Sequence, residues 1–438
     1  MVKRELRLGI DYGTSASKMV FRDPLAPGGE KTYVVVRDGN FRIPSSVALT
    51  AENLVFGCSP GACELLDLPL WYESVKMRVA GEATSNYRKY CYGPLPNLPR
   101  GLTARDIATL TVWYLIGEGH YVASRFLRAE PDEVATSVTL GIPMSFFEDG
   151  LLRRTFLSIA RRARSIYIKY GRMVSGKIQL DEARKIIEES SHDNMDEAEI
   201  PKDALRNWIR SEAEAGLCLA VKSPGVPEGA YAEIDIGAGT THASVFWIWS
   251  RFRGGRWLKD RLAFYGVRSE PVGMDAVDAV LAPLGGLALD ECLRLRGEER
   301  ETIDRVGAGS LDCVVKEIRE TYIRAWRRAC LMLNLAEREG FRHHDIFVAG
   351  GGSLIPEITT ILATHPDGYE RPLSIRRLGK PDDLLRTDGK AILGEDIPFL
   401  VVAYGLSYNA LEVPEAYMPG GMHPQTIPEK KFVGWEEM

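Results

Sequence analysis

The stretch from Glu233 to Trp247, EIDIGAGTTHASVFW, constrains the chain more than any other: an apolar strand ending in a carboxylate, a glycine turn, and a second apolar strand. Its turn, Gly237, Ala238, Gly239 and Thr240, lets backbone N–H groups approach a phosphate that larger side chains would hold off. Asp235 stands just before it. A near copy lies close to the N-terminus. Leu6 to Phe21, LRLGIDYGTSASKMVF, again runs apolar strand, aspartate (Asp11), glycine turn with hydroxyls (Gly13, Thr14, Ser15), apolar strand. Two such hairpins more than two hundred residues apart imply a duplicated fold whose halves close on one nucleotide.

A third stretch, Asp345 to Ile361 (DIFVAGGGSLIPEITTI), reads as a buried strand, three glycines (Gly350, Gly351, Gly352) and Ser353. A helix then begins near Pro356, a residue suited to a first helical turn. In order and spacing the three stretches resemble the phosphate 1, phosphate 2 and adenosine motifs of the actin/Hsp70/sugar-kinase ATPase superfamily, from Leu6 to about Leu411. The chain looks most like an Hsp70-type nucleotide-binding domain. That resemblance implies an α/β fold of two lobes, duplicated RNase H-like domains with the nucleotide cleft between them. Lobe I would cover 1–215 and lobe II 216–400, with a closing helix over 401–411 returning to lobe I and a tail over 412–438.

Length agrees with two lobes, because 438 residues exceed what one core normally supports. A net charge of −5 gives no basic field for nucleic acid or acidic membranes. The arginines between Arg153 and Arg164 read as a solvated helix face. Seven cysteines form no C-x-x-C pair, and Cys218 and Cys330 sit in apolar context, as free thiols in a reducing compartment do. The N-terminal residues run straight into the first strand, and no run of about eighteen apolar residues occurs. The expectation is a cytoplasmic protein that binds no nucleic acid directly and no membrane.

On the resemblance, Lys76 takes the place of the lysine that in Hsp70 proteins reaches the γ-phosphate and the attacking water. Glu212 matches the glutamate that helps hold the metal-bound water and couples nucleotide state to lobe movement. The chain departs from the family over about 163–206, a charged insertion expected on the surface as an exposed helical arm or loop. The subdomain that carries the adenine-stacking arginine in Hsp70 proteins is cut down to about 285–306, which leaves Arg294, Arg296 and Arg300 as candidates only. With its Pro/Gly-rich tail the chain is expected to carry no peptide-binding sandwich.

Phosphoryl transfer to water asks a protein for positioning and charge compensation. Glycine turns at Gly13, Gly237 and Gly239 would present N–H groups to the phosphates, with hydroxyls from Thr14, Ser15 and Thr240. Gly350, Gly351, Gly352 and Ser353 would face the adenosine. Asp11 and Asp235 would hold Mg²⁺ through its waters, and Lys76 would offset charge on the γ-phosphate. Two positions resemble actin instead: Lys18, seven residues after Asp11, where actin has a phosphate-contacting lysine, and His242, seven after Asp235, where it has a water-positioning histidine. A histidine there can orient water and act as a weak base near neutral pH, and a slow ATPase is expected, with Lys76, Glu212, Asp235 and His242 as its catalytic groups. The resemblance implies a Mg-dependent, ATP/ADP-binding, chaperone-like protein whose lobes close with nucleotide to act on a protein partner. A filament-forming, self-associating actin-like ATPase, cytoskeletal or DNA-segregating, is the alternative. A small-molecule kinase is a third reading, whose base toward an alcohol has no clear counterpart here.

Overall fold

The computed structural model describes residues 3–58, 70–84, 95, 97–190, 205–253, 256–285, 311–333, 341–368 and 371–417. Strands β1 (Arg4–Asp11), β2 (Ala16–Asp23) and β3 (Lys31–Val34) form an antiparallel meander. The short β4 (Ile43–Pro44) pairs with β2, and β5 (Val47–Leu49), β6 (Asn53–Phe56) and β7 (Leu70–Tyr72) belong to a small separate sheet. Helices α1 (Val75–Ala83) and α2 (Ala104–Leu127) follow. A capping box starts α2: the Thr103 hydroxyl accepts from Asp106 N at 3.2 Å, and the Asp106 carboxylate accepts from Thr103 N at 3.0 Å. Next, β8 (Val134–Ile142) runs parallel to β1. Then come α3 (Met144–Glu148), α4 (Gly150–Tyr170), β9 (Lys177–Gln179), α5 (Leu180–Glu189) and β10 (Ile209–Ser211), the last parallel to β8.

The second half repeats the plan. Helix α6 (Glu212–Lys222) leads into the meander β11 (Gly229–Ile236), β12 (Thr241–Arg253) and β13 (Arg256–Glu270). After α7 (Met274–Gly285) and α8 (Asp312–Met332), β14 (Asp345–Ala349) pairs parallel to β11. Helix α9 (Pro356–Leu362), β15 (Ser374–Arg376), β16 (Leu384–Arg386), α10 (Ile397–Leu406) and β17 (Glu415–Tyr417) complete the chain. The two large sheets read β10-β8-β1-β2-β3-β16 and β15-β14-β11-β12-β13-β17. In each, a meander gains two parallel strands beyond its first strand and one parallel strand beyond its third. The protein is therefore mixed α/β, with internal repetition of strand order and direction.

Two helices lie between the large sheets. Helix α10 packs on β1, β2 and β8, while Leu217, Ala220 and Val221 of α6 join Phe246, Leu262 and Phe264 of the second sheet in one apolar cluster. The helices approach so closely that a Cβ on Gly405 would stand 1.8 Å from the Ala215 carbonyl oxygen. Only glycine lets the two backbones touch there.

Several expectations change. The first part of the expected insertion is no loose arm: α4 continues to Tyr170, β9 pairs with β6, and Ala163, Ile166, Ile178, Ala183, Ile186 and Ile187 are buried in the first core. Apolar residues at helical spacing on α4 and α5 find a core, which charge composition alone concealed. Residues 191–204 of that region lie outside the described residues, as do Arg294, Arg296, Arg300 and 418–438. The expected tail begins as a strand, because β17 pairs with β13. The closing helix starts at Ile397, ahead of the expected 401. Cys218 and Cys313 are free thiols, and among the described residues no helix is long and apolar enough to cross a membrane.

Candidate functional site

Both glycine hairpins open onto one cavity of about 400 Å³. Asp11 and Asp235 stand at matching places, the C-terminal ends of β1 and β11. Hairpin register explains the seven-residue offsets: Lys18 lies directly across the ladder from Asp11, and His242 directly across from Asp235. Lys18 Nζ is 3.1 Å from Asp11 Oδ2. The turns are tight. Gly13 N donates to Asp11 O at 3.0 Å, and a Cβ on Gly13 would meet the Ala16 carbonyl at 2.1 Å. Gly237 N donates to Thr240 O at 2.9 Å, while the first turn of α7 holds the same loop from behind, Met274 N donating to Gly237 O at 3.0 Å and Asp275 N to Ala238 O at 2.8 Å.

The third glycine stretch runs alongside. Gly350 adopts φ 74°, and a Cβ there would collide with Ile236 O at 2.3 Å and Asp235 Oδ1 at 2.4 Å, so this turn requires glycine on both counts. Its N–H donates to Pro398 O at 3.0 Å, which ties the turn to the start of α10. Lys76 comes from α1. Ser74, in the left-handed region at φ 53°, precedes that helix, and Lys76 is only 3% exposed, with its Nζ 2.5 Å from Glu212 Oε1. Glu212 begins α6, whose Ser211 cap accepts from Glu214 N at 3.0 Å, so its carboxylate also faces a positive helix end.

Carboxyls crowd this end of the cavity. Burial, then the charges of Glu212 and Asp11, pushes the Asp235 carboxyl up to about 7, although Lys18 and Lys76 oppose the shift. Burial likewise raises Glu212, against the pull of Lys76. Burial lowers His242 to about 3, so the ring is neutral at any physiological pH. That corrects the sequence-based picture of a histidine working as a weak base near neutrality. One ring nitrogen, Nδ1, is 2.9 Å from Ser269 Oγ, and the other, Nε2, is buried without a partner on the cavity wall.

Of the residues singled out in the sequence, Asp11, Gly13, Thr14, Ser15 and Lys18 line the cavity from the first sheet. Lys76, Glu212, Asp235, Gly237, Thr240, His242, Gly350 and Gly351 line it elsewhere. Gly239, Gly352 and Ser353 do not reach the wall. Gly352 packs against the Ile236 side chain, and the fully buried Ser353 hydroxyl donates to Gly350 O at 2.7 Å, fixing the turn instead of a ligand. Asn40, Arg42 and Phe399 also line the cavity. No local signal marks them, since a loop and one face of an apolar helix supply them.

The groups fit a magnesium–nucleotide. Among the described residues no set of three His, Cys, Asp or Glu side chains could hold a metal ion directly. Asp11 and Glu212 raise the cost of charging Asp235, and Asp11 that of charging Glu212, which leaves an electrostatic place for a divalent ion. No protein-family model matches the sequence, and no curated protein is significantly similar to it.

Proposed function

We propose that this protein is a two-lobed, Hsp70-like and actin-related ATPase that binds Mg·ATP between its two sheets, hydrolyses it slowly, and acts on a protein partner through nucleotide-dependent closure. One observation carries the reading: Asp11 and Asp235, from equivalent strand ends of two sheets with the same order, face one cavity together with glycine turns and two lysines. The parallel is with the duplicated RNase H-like domains of that superfamily. Magnesium, when bound, supplies charge neutralisation and ordered water. Gly13, Gly237 and their neighbouring hydroxyls hold phosphate oxygens, and Lys76, kept in place by Glu212, offsets charge at the terminal phosphate. His242 orients water through Nε2 but, neutral when folded, takes up a second proton only weakly, which keeps turnover slow. The α6–α10 pair, in backbone contact at Gly405, is the element about which the sheets would move.

Ligand bound only to the folded state raises the melting temperature by mass action, about 2.7 kcal/mol of stability at one hundred times Kd. Millimolar ATP with magnesium is therefore expected to raise the melting temperature by several degrees, and more than ATP with EDTA. No shift together with no calorimetric heat of binding would sink the reading.

A specific observation favours the filament-forming alternative, since Lys18 reaches both Asp11 and the cavity, where the likeness to actin puts a phosphate-contacting lysine. Sedimentation with ATP, with ADP and without nucleotide separates the two. The Hsp70-like switch is expected to stay monomeric and change sedimentation coefficient; ATP-dependent pelleting selects the filament.

A further inference from the structure

We infer that Arg42 and Phe399 clamp the flat base of the nucleotide, taking the role for which the sequence offers only Arg294, Arg296 and Arg300. This inference rests on the nucleotide reading above. The Arg42 guanidinium lies over the Phe399 ring, 5.2 Å from its centroid, and both side chains line the cavity. Their place along it follows from the glycine turn. Gly350 touches Asp235, whereas a Cβ on Gly351 would meet Phe399 Cε1 at 3.0 Å, so Phe399 stands beside the third glycine turn, one residue beyond the glycine that packs on Asp235. Leu354, Ile355 and Val402 make that end apolar.

The site is built in advance. Asp38 and Gly39, at φ 50° and 79°, form a two-residue hairpin turn in which Arg37 and Asn40 exchange backbone hydrogen bonds of 2.9 Å. Asn40 Oδ1 then accepts from Arg42 N at 2.8 Å and fixes where the arginine starts. Arg386 holds the turn from outside, donating to Gly39 O at 3.3 Å. Arg42 itself has no carboxylate partner among the described residues, so its planar face is available to a ligand. Phe399 is fixed by the first turn of α10, its N–H donating to Asp396 O at 3.1 Å.

Distance decides how a base fits. Two van der Waals contacts of about 3.5 Å put the faces of a filled sandwich about 7 Å apart, so the guanidinium must lift by about 2 Å from its 5.2 Å position. Rotation about an arginine side chain's own bonds provides that without backbone movement. Stacking reads a face and not an edge, so the clamp accepts a purine with little discrimination between adenine and guanine.

The test compares ATP with inorganic tripolyphosphate, each with magnesium, on wild type, Arg42→Ala, Arg42→Lys, Phe399→Ala and Phe399→Leu by calorimetry. The leucine and lysine variants keep bulk or charge, and ligand-free melting temperatures show which proteins are folded. ATP affinity is expected to fall roughly tenfold or more in each folded variant, in the range of lost base stacking, with tripolyphosphate affinity unchanged. An equal loss for both ligands would make Arg42 a phosphate contact and overturn the clamp. Wild-type ATP affinity in folded Arg42→Lys and Phe399→Leu would overturn it too, while leaving the nucleotide reading intact. A wild-type protein that binds tripolyphosphate as tightly as ATP takes nothing from the base and also removes the clamp. Wild type that binds neither ligand overturns the nucleotide reading and the clamp with it.

Discussion

Lys76→Ala and Glu212→Ala are each expected to lower ATP turnover by roughly ten- to a thousandfold, the range of single positioning or charge groups, with far smaller losses of nucleotide affinity. The two side chains act as one device. Lys76 is 3% exposed with Glu212 Oε1 2.5 Å from its Nζ, and the same contact offsets part of the cost that burial puts on charging Glu212. Removing the lysine leaves a buried carboxyl that takes up a proton; removing the glutamate frees the lysine to leave the terminal phosphate. The double variant should therefore fall little below the worse single one, as groups that work as a unit do. Single-turnover hydrolysis and calorimetry on the three variants check this, with Glu212→Gln as the milder replacement. Wild-type turnover by Lys76→Ala would hand its role to Lys18 and favour the filament reading, and fully additive losses would break the link between the pair.

How much of this was legible in the sequence depended on whether a signal was local. The hairpins were, because an aspartate, a glycine turn and an apolar second strand lie within sixteen consecutive residues at Leu6–Phe21 and repeat at Glu233–Trp247. Even the pairings of Asp11 with Lys18 and of Asp235 with His242 were implicit, since a tight turn brings residues seven apart face to face. Three-residue strands such as β9, β16 and β17 carry no periodicity, and partners more than a hundred residues away hold them in place. Arg42 and Phe399 were missed for the same reason: their meeting is a tertiary contact across 357 residues (399 − 42). Ser353 shows the opposite error. Gly351 and Leu354, close on either side of it in sequence, face the cavity, but the turn needed its hydroxyl for Gly350. The state of His242 was not readable at all, because burial, which only the fold defines, decides whether an imidazole charges.

The ligand-free protein is expected to lose stability as pH rises above about 6.5, and Glu233→Gln should remove much of that loss. Glu233 shares a face of β11 with Asp235, is 3% exposed, and receives a single hydrogen bond, from the Ser244 hydroxyl at 3.3 Å. A Cβ on Gly216 of α6 would sit 2.7 Å from its Oε1, so the carboxyl is pressed against the helix. Burial first, and the charge of Asp235 second, raise its pKa well above the ordinary value. A carboxyl whose folded pKa is raised is protonated in the folded state while the unfolded chain has already lost its proton. Stability therefore falls by about 1.4 kcal/mol per pH unit for each such group, from its unfolded pKa up to its folded one. For Asp235 that window closes near pH 7; for Glu233 it runs from its ordinary pKa to well above it. His242 and His344 have the opposite sign, lowered by burial to about 3 and about 4, and the stability they contribute is lost as pH falls from 6.5. Below 6.5 the two pairs largely cancel. Above it both histidines are neutral in either state, and only the raised carboxyls still act. Glutamine keeps an acceptor for Ser244 and cannot ionise, so Glu233→Gln should be more stable than wild type at pH 8, by a margin that shrinks steadily toward pH 5. Urea midpoints of the two proteins across that range measure the margin, and parallel curves would show that Glu233 is already charged beneath α6.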